Sequence, residues 1–456
     1  MIIMKFGGTS LESAAAIERV ASIVRARLDR RPVVVVSAMG KTTHRLLAIG
    51  AEAARGRRER ALEQLGELRE YHRRESQPVI AASDGKELDG IIEEHFRELS
   101  GLVEKLAARG ELTPRSSDAI ASYGEQLSSL IVALAFRHLG LCSAHLDARS
   151  VIVTDQRHTQ AAPLYRETYA RLAAAIPPLA HNRVVVLAGY IGTSLDGVTT
   201  TLGRGGSDFT ASIVGAGVGA EEIQIWTDVD GMLTCDPTLV QGVHRVKMIS
   251  FAEAAELAYF GAKVLHPATL LPAAERNIPV LILNSRRPEV PGTRIVAAPV
   301  PCRNDIKSIA CKKNITVVNI QSARMLMAHG FLLRIFEVFD RYETPVDMLA
   351  TSEVSVSLTI DNSARLEEIC AELRQFSDVS VEKDQAILCA VGDNIRNTPG
   401  VAARVFGALQ DVNVRMISQG ASLRNLSLVV AGEDLVKAAG LLHREFFKNL
   451  DPAVFD

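Results

Sequence analysis

The chain has 456 residues, 47% of them hydrophobic and 23% charged, and a formal net charge of −2 at pH 7. This length predicts two or three domains, and near-neutrality gives no support for nucleic-acid or membrane-surface binding. No apolar run approaches the length of a membrane span, and the first residues do not form a signal-peptide pattern. The six cysteines are dispersed without a C-x-x-C pair, so we expect a cytoplasmic protein with neither a protein-built metal site nor a disulfide framework.

The first predicted element is a short apolar strand, Met1–Phe6, which carries Lys5 near its end. Gly7 and Gly8 follow this strand and open a helix. A strand, a glycine pair and a helix N-terminus suit a phosphate group, and Lys5 would neutralise charge on a transferred group. Gly40 precedes a lysine and a threonine as in a Walker A loop, but no glycine stands five residues before it. The ordinary P-loop is therefore excluded.

Predicted strands and helices then alternate as far as about residue 295, which is typical of α/β proteins with a parallel sheet. A long helical stretch rich in Ala, Leu, Glu and Arg occupies residues 41–140. The strands are predicted at residues 1–5, 33–37, 144–147, 184–188, 223–227 and 279–283.

The most informative segment is the glycine-rich run Thr199–Asp208, between the strand at 184–188 and a predicted helix. Its three glycines allow backbone N–H groups to approach a ligand closely, and Arg204 adds a cation suited to a carboxylate or phosphate. Ser207 or Asp208 alone is equally consistent with a simple helix N-cap. The combination of three glycines, an arginine and an aspartate predicts an anion site.

The C-terminal part contains a weak internal repeat after the Pro- and Ala-rich segment 297–301. The run that begins at Gly330 parallels the run that begins at Gly400, and strand-like segments at 354–359 and 426–430 correspond. Each unit of roughly 70 residues predicts strand, helix, strand, strand, helix, strand, the ferredoxin-like arrangement. Such tandem units commonly form a small-ligand sensor or a pairing surface, with a purely structural duplication as the alternative.

These motifs, in this order, resemble the signature of the aspartokinase family, and the resemblance covers essentially the whole chain. It implies an amino acid kinase-like α/β sandwich with a mainly parallel sheet over residues 1–295, a linker at 296–306, and two ACT units at 307–380 and 381–456, with interleaving of strands between the two units as an alternative. No homoserine dehydrogenase domain follows, so the resemblance is to the monofunctional, lysine-sensitive type. The segments that carry it are Lys5–Ser10, Ser122–Ser128, Thr200–Asp208, Trp226–Gly231, Phe260–Pro267, Thr351–Val356 and Met416–Ser422.

The resemblance implies transfer of a phosphoryl group from ATP, with Mg²⁺ held through the nucleotide phosphates, to the β-carboxylate of L-aspartate. Lys5 and Asp208 would be the catalytic residues. A carboxylate acceptor is already ionised near neutral pH, so no general base is needed. The implied substrate residues are Thr43, Glu125, Arg204 and Ser207, and the implied ATP residues are Lys5, Gly7, Gly8, Thr227, Asp228, Leu233, Lys263 and Val264.

Three positions depart from the family pattern. His44 follows Thr43 where the family has asparagine, and Leu233 and Thr238 stand where tyrosine and arginine are common. The last two departures would weaken ATP affinity or relax nucleotide choice. None of them touches Lys5, Glu125, Arg204 or Asp208, so we expect an active enzyme.

The paired ACT units imply feedback by an amino acid and a homodimer or dimer of dimers formed through them. Lysine is the expected effector because Asp347 and Glu353 would suit a cationic amino acid, with threonine as the competing effector. Ala328 and Pro345 replace two serines of a lysine-sensitive relative. The implied effector residues are Met325, Gly330, Phe331, Leu332, Val346, Asp347, Ser352 and Glu353.

Two other functions compete with this interpretation. One is an amino acid kinase-fold enzyme for glutamate, N-acetylglutamate, carbamate or a nucleotide, but an acetylated amine would not need Glu125. The other is a catalytically weak sensor of amino acids, which the departures at Leu233 and Thr238 favour and the retained Lys5 and Asp208 oppose.

Overall fold

The structure is a computed structural model that describes residues 1–80, 85–261, 267–322 and 329–456. The chain forms two compact units, residues 1–232 with 264–298, and residues 233–263 with 299–456. The segment 233–263 thus groups with the C-terminal unit, although the sequence suggested a catalytic domain that runs unbroken to residue 295. Within that unit the N–H of Ile309 donates to the carbonyl of Thr234 at 2.8 Å, which joins this segment to a strand.

The described residues contain 17 strands and 14 α-helices. The strands are β1 (Ile2–Phe6), β2 (Pro32–Val36), β3 (Ser143–Leu146), β4 (Val153–Thr154), β5 (Val184–Ala188), β6 (Ile191–Ser194), β7 (Thr199–Thr201), β8 (Glu222–Thr227), β9 (Met248–Ser250), β10 (Val280–Asn284), β11 (Thr293–Val296), β12 (Ser308–Gln321), β13 (Leu349–Thr351), β14 (Ser355–Ile360), β15 (Asp378–Val391), β16 (Met416–Gln419) and β17 (Asn425–Ala431). The helices are α1 (Ala14–Arg25), α2 (Thr42–Ala54), α3 (Arg58–Ser76), α4 (Gly85–Arg109), α5 (Pro114–His138), α6 (Ala148–Val151), α7 (Tyr165–Leu179), α8 (Gly206–Val218), α9 (Phe251–Tyr259), α10 (Leu271–Glu275), α11 (Phe331–Arg341), α12 (Leu366–Leu373), α13 (Val401–Ala408) and α14 (Leu435–Phe446).

The first unit is built on a mainly parallel sheet in the order β3-β5-β2-β1-β8-β10-β11, in which only β10 and β11 pair antiparallel. Its central strands β1, β2 and β5 are buried along their whole length. Continuous apolar runs of this kind are typical of a parallel sheet that is covered on both faces. The α/β fold and the six strands predicted for this region are confirmed, each within one residue at either end.

The structure differs from the prediction in the segment between β5 and the glycine-rich loop. A hairpin of β6 and β7, which joins β4 in a separate three-stranded sheet, lies between β5 and the loop. The short, Thr-rich strands of this hairpin lack the apolar run by which β5 was identified, which explains why the sequence did not predict them.

Helix α5 is the only described helix whose length and apolar composition would suit a bilayer. Of its most apolar stretch of 18 residues, 78% is buried inside the protein. The helix therefore packs as part of the core of the first unit, against α2, α4 and β5.

The C-terminal unit contains a six-stranded antiparallel sheet in the order β13-β14-β12-β15-β17-β16. The two long central strands belong to both ferredoxin-like halves. Residues 315–321 of β12 pair with 378–385 of β15 in the first half, whereas residues 308–312 pair with 387–391 in the second. The strands pass from one half to the other at Asn314 and Asp384, whose φ angles are 58° and 55°.

The predicted repeat has a structural counterpart at the starts of the two corresponding helices. Gly330 and Gly400 are the N-cap residues of α11 and α13, with φ angles of 78° and 84°. Glycine adopts this left-handed conformation without steric cost, which explains why both repeats begin with it. The first half is inserted between the strand segments 308–312 and 387–391 of the second half.

Candidate active site

The carboxyl ends of strands β1, β2, β5 and β8 meet at one edge of the parallel sheet. The N–H of Gly7 donates to the carbonyl of Trp226 at 3.2 Å, and the N–H of Ser37 donates to that of Phe6 at 3.1 Å. The N–H of Gly189 donates to the carbonyl of Val36 at 2.8 Å. The chain leaves β1 toward β2 on one side and returns to it with β8 on the other. Ligands of open α/β sheets bind at such a switch point.

An ion pair between Lys5 and Asp208 lies at this edge. Lys5 Nζ is 2.7 Å from Asp208 Oδ1, and both side chains are largely buried. Asp208 belongs to the first turn of α8, whose N-cap is Gly205 at a φ of 71°. The N-cap alternative for Ser207 and Asp208 is therefore wrong, because both residues lie inside the helix. The helix N-terminus leaves backbone N–H groups and partial positive charge beside Lys5, an environment that favours a phosphate.

Gly8 allows the loops after β1 and β2 to approach each other. A Cβ at this position would lie 2.5 Å from the carbonyl oxygen of Gly40 and 2.8 Å from that of Ala38. Both neighbours are backbone atoms, so a side chain can be admitted only by moving the loops apart. Gly8 therefore fixes the shape of the edge next to Lys5.

We expect Gly8→Ala to destabilise the protein by about 1–3 kcal/mol, because overpacking of a close backbone contact forces the backbone to shift. A thermal melt should show a Tm lower by several degrees. Gly66→Ala is the matched control, since a Cβ at Gly66 on α3 meets nothing within 4 Å. That control should gain up to about 1 kcal/mol from helix propensity. An unchanged Tm for Gly8→Ala would contradict the close contact.

A cavity of about 500 Å³ opens beside the ion pair. The structure brings together here all the residues that the sequence assigned to catalysis and to the substrate. Five residues that the sequence analysis did not place in the site also line it, namely Ser37, His44, Leu47, Thr159 and Tyr190. The expected residues in the lining are Lys5, Thr43, Glu125, Arg204, Ser207 and Asp208.

Glu125 on α5 contributes a buried carboxylate to this cavity. Its Oε1 accepts a hydrogen bond from Thr43 Oγ1 at 3.0 Å, and its buried Oε2 has no hydrogen-bond partner. Burial raises the pKa of Glu125 to about 8, although the hydrogen bond from Thr43 opposes the shift. A buried acceptor without a donor is costly. A cationic group in the cavity would supply the missing partner and return the carboxyl to its ionised form.

Another wall of the cavity is formed by the start of α8. Arg204 is exposed and lines the cavity from the glycine loop. Ser207 packs against Gly189, where an added Cβ would lie 2.6 Å from the Cβ of Ser207. A guanidinium, a hydroxyl and a buried carboxylate around one cavity can bind an α-amino acid at both its carboxylate and its ammonium.

One buried residue behind this wall escaped the sequence analysis. Asp118 lies on α5 seven residues before Glu125, on the same face of the helix, and is 1% exposed. Its carboxylate accepts a hydrogen bond from Thr201 Oγ1 at 2.5 Å and one from the N–H of Thr159 at 3.0 Å. The signal that could have revealed it is the helical spacing to Glu125.

The residues expected on the nucleotide side are only partly described. Thr227 and Asp228 lie at the carboxyl end of β8, and Trp226 before them is fully buried and stacks on Phe6 with ring centroids 5.9 Å apart. Leu233 belongs to the second unit. Lys263 and Val264 lie outside the described residues.

The described residues include no group of three or more His, Cys, Asp or Glu side chains that could hold a metal ion. A single carboxylate, Asp208, stands beside Lys5 at the cavity. One carboxylate suits Mg²⁺ that is held mainly by nucleotide phosphates, because this ion commonly binds through one or two carboxylates, phosphates and water.

The residues expected to bind the effector lie in the second unit, except that Met325 and Ala328 fall outside the described residues. Asp347 Oδ1 lies 2.7 Å from Lys312 Nζ, and its buried Oδ2 has no hydrogen-bond partner. Burial raises the pKa of Asp347 even though Lys312 opposes the shift. Val346 packs against the cluster that contains Phe331, whereas Leu332, Ser352 and Glu353 are exposed and Gly330 caps α11.

Comparison with known proteins agrees with this geometry. The amino acid kinase family model matches residues 1–284, and an ACT domain model matches residues 388–446. The chain is 34% identical to the lysine-sensitive aspartokinase 3 of Escherichia coli, over 98% of this chain and 99% of that protein. It is 37% identical to the chloroplastic aspartokinase 2 of Arabidopsis thaliana, over 99% of this chain and 85% of that protein.

Two crystal structures of E. coli aspartokinase III each match with a TM-score of 0.85 and 34% identity, over 98% of this chain and 100% of theirs. One is a complex with aspartate and ADP in the R-state, and the other is a complex with lysine and aspartate in the T-state. The aspartate kinase of Clostridium acetobutylicum matches with a TM-score of 0.81 and 27% identity. The fold, the cavity and these relatives together establish that the chain belongs to the aspartokinases of the amino acid kinase family.

Proposed function

We propose that this protein transfers the γ-phosphoryl group of ATP to the β-carboxylate of L-aspartate and releases 4-phospho-L-aspartate and ADP. The observation that carries the proposal is the unpartnered Oε2 of Glu125, in the same cavity as the Lys5–Asp208 pair. The first group suits the ammonium of an amino acid and the second suits a transferring phosphoryl group. The product would be the first intermediate on the route to lysine, threonine and methionine, and a cytoplasmic location stays a prediction.

The proposed mechanism needs no general base, because the acceptor carboxylate is ionised near neutral pH. Glu125 holds the ammonium of aspartate and Arg204 its α-carboxylate, with Thr43 and Ser207 at the sides. This arrangement directs the β-carboxylate toward the end of β1. Such positioning supplies much of the rate enhancement in phosphoryl transfer.

Lys5 places its ammonium where negative charge develops on the transferring group, and Asp208 holds that ammonium in place at 2.7 Å. Gly8 and the first turn of α8 would present backbone N–H groups to the phosphates, and Gly7, whose N–H is bonded to the carbonyl of Trp226, forms the turn that leads to Gly8. Mg²⁺ would bind the nucleotide phosphates beside Asp208 and supply charge neutralisation. Thr227 and Asp228 would contact the nucleotide from the end of β8.

The direct test is turnover of ATP with L-aspartate and Mg²⁺, with hydroxylamine present to trap the acyl phosphate. We expect aspartyl hydroxamate, and none with N-acetylaspartate, which lacks the ammonium that Glu125 would bind. Product with glutamate or N-acetylglutamate instead would favour a different amino acid kinase. A folded sample that yields no product with any acidic substrate would favour the sensor.

We further propose that lysine inhibits the enzyme through the C-terminal unit and that two chains associate there. The buried, unpartnered Oδ2 of Asp347 suits a second ammonium group beside Lys312. Helix α11 supports the association, because Leu332, Leu333 and Phe336 are 38%, 62% and 39% exposed on one side of it. Inhibition requires that lysine bind one arrangement of the assembly more tightly than the other.

We expect Asp347→Asn to raise the lysine concentration for half-inhibition at least tenfold and to leave kcat unchanged, because a charged partner of the effector is lost. Asp361→Asn is the matched control, since Asp361 also contacts Lys312, at 2.8 Å, but is 41% exposed. Inhibition curves with lysine and with threonine check both variants. No inhibition of the native protein by millimolar lysine would remove lysine as the effector and leave threonine to be tested.

A further inference from the structure

One wall of the cavity contains two residues in a backbone conformation that side-chain-bearing residues rarely adopt. Thr159 has a φ of 71° and Tyr190 a φ of 69°, and both line the cavity. A β-branched residue in the left-handed region is a genuine outlier. Such strain persists only where the surroundings hold it, and it clusters at functional sites.

One buried carboxylate holds this wall in place. Asp118 accepts three donors, the N–H of Thr159 at 3.0 Å, Thr201 Oγ1 at 2.5 Å and His158 Nδ1 at 2.6 Å. The bond to the N–H of Thr159 fixes the strained residue itself. Thr201 also pairs with Ile191 in the hairpin of β6 and β7, so the same carboxylate is linked through Thr201 to the residue that follows Tyr190.

The wall is also joined to the glycine loop. A Cβ at Gly203 would lie 3.0 Å from the carbonyl oxygen of Thr159, so the backbone of Thr159 packs closely on this glycine. The N–H of Leu202 donates to the carbonyl of Tyr190 at 2.9 Å. The loop that begins here carries Arg204, so displacement of the wall would displace the cation proposed for the α-carboxylate.

We propose that Asp118 is a positioning residue for the amino-acid subsite, which holds Thr159 and Tyr190 in their left-handed conformations and thereby sets the distance between Arg204 and Glu125. Both ends of the subsite then depend on one helix, because Asp118 and Glu125 lie two turns apart on α5. The inference rests on the proposed function, since it concerns the subsite that would hold aspartate. Asp118 acts through other residues and does not touch the substrate.

The test is steady-state kinetics on Asp118→Asn, which keeps the shape of the side chain but loses its charge and one acceptor. We expect KM for aspartate to rise about tenfold, because small misplacements of positioning groups cost this much or more. KM for ATP should stay within about twofold, since the Lys5–Asp208 pair is not in contact with Asp118. Equal rises in both KM values would overturn the inference, because they would indicate a general loss of structure.

Two further variants separate positioning from a merely structural role. Thr159→Gly removes the strain, because glycine adopts a positive φ without cost. When Asp118→Asn is added to Thr159→Gly, KM for aspartate should therefore rise by no more than about threefold over that of Thr159→Gly alone. Asp155→Asn is the matched control, since Asp155 accepts the N–H groups of Arg157 and Ala162 in the same loop but does not line the cavity. A tenfold rise in KM for aspartate when Asp118→Asn is added to Thr159→Gly would overturn the inference. The same rise with Asp155→Asn alone would also overturn it.

If Asp118→Asn fails to fold in a thermal melt, Thr201→Val is the alternative, because it removes only one of the three donors to Asp118. We expect it to raise KM for aspartate about threefold with an unchanged KM for ATP, and no change in either would overturn the inference. A native protein that makes no aspartyl hydroxamate would overturn the proposed function instead. If the native protein forms the product and the variants have unchanged KM values, only the role of Asp118 is overturned.

Discussion

Replacement of Lys5 by alanine is expected to lower kcat about 10³-fold, the largest loss of any single substitution in this protein. The ammonium of Lys5 is held 2.7 Å from Asp208, at the carboxyl end of the central strand and next to the N-terminus of α8. A cation fixed in a largely buried site stabilises developing charge far more than one in water, and removal of such a group commonly costs 10²–10³-fold or more. The rate of aspartyl hydroxamate formation at saturating substrates measures the loss.

The same variant should leave KM for aspartate within a few-fold, because Lys5 is assigned to the transferring group and not to the amino acid. Lys105→Ala on the exposed face of α4 is the control and should retain full activity. The double variant Lys5→Ala/Asp208→Ala shows whether the loss of kcat comes from an Asp208 left without its partner. A double variant that regains activity would contradict a direct catalytic role for Lys5.

Glu125→Gln is expected to raise KM for aspartate about 100-fold, because loss of one partner of a buried charge pair costs several kcal/mol. In the native protein the raised pKa of Glu125, about 8, keeps the carboxyl protonated at neutral pH before the substrate binds. Only the ionised form attracts an ammonium group. KM for aspartate should therefore fall about ninefold between pH 6 and pH 7 and about fivefold between pH 7 and pH 8.

The glutamine variant should lose this pH dependence, since it has no proton to release. It should also be more stable than the native protein at pH 8. A carboxyl whose pKa is raised on folding binds a proton more tightly in the native state, so native stability falls as the pH rises from about 4.5 to about 8. Melting curves should therefore show a higher Tm for the glutamine variant than for the native protein at pH 8, and equal Tm values near pH 4.5. Such a trade-off between stability and function is expected of a functional residue. A Tm loss at pH 8 would show that Glu125 stabilises the fold instead.

The sequence predicted the catalytic unit in detail because its signals are local. Continuous apolar runs identified the buried strands, and the glycines around Arg204 identified the loop that the structure places at the cavity. Gly330 and Gly400 identified the repeat in the same way, because a left-handed helix start depends mainly on the residue itself.

The missed features depend on contacts between distant parts of the chain. Nothing in the residue type of Thr159 or Tyr190 indicates a positive φ, which their surroundings impose. Asp118 looks like any polar residue of a helix until the fold brings His158 and Thr201 to it. The family resemblance allowed the strands of the two halves to interleave, but the crossing points at Asn314 and Asp384 were hidden, since each strand continues with only a single residue as a signal.

The two continuous strands β12 and β15 also determine the order in which the C-terminal unit can fold during synthesis and the positions at which it can be truncated. The segment 308–312 leaves the ribosome before its partners at 387–391, which follow only after the whole first half has been made. The second half therefore closes around the first, and β12 and β15 run without a break through both halves. A polypeptide that ends near residue 380 would leave a bare strand edge at 308–312, a template for aggregation. For the same reason, the two halves cannot be separated without cutting both of these strands.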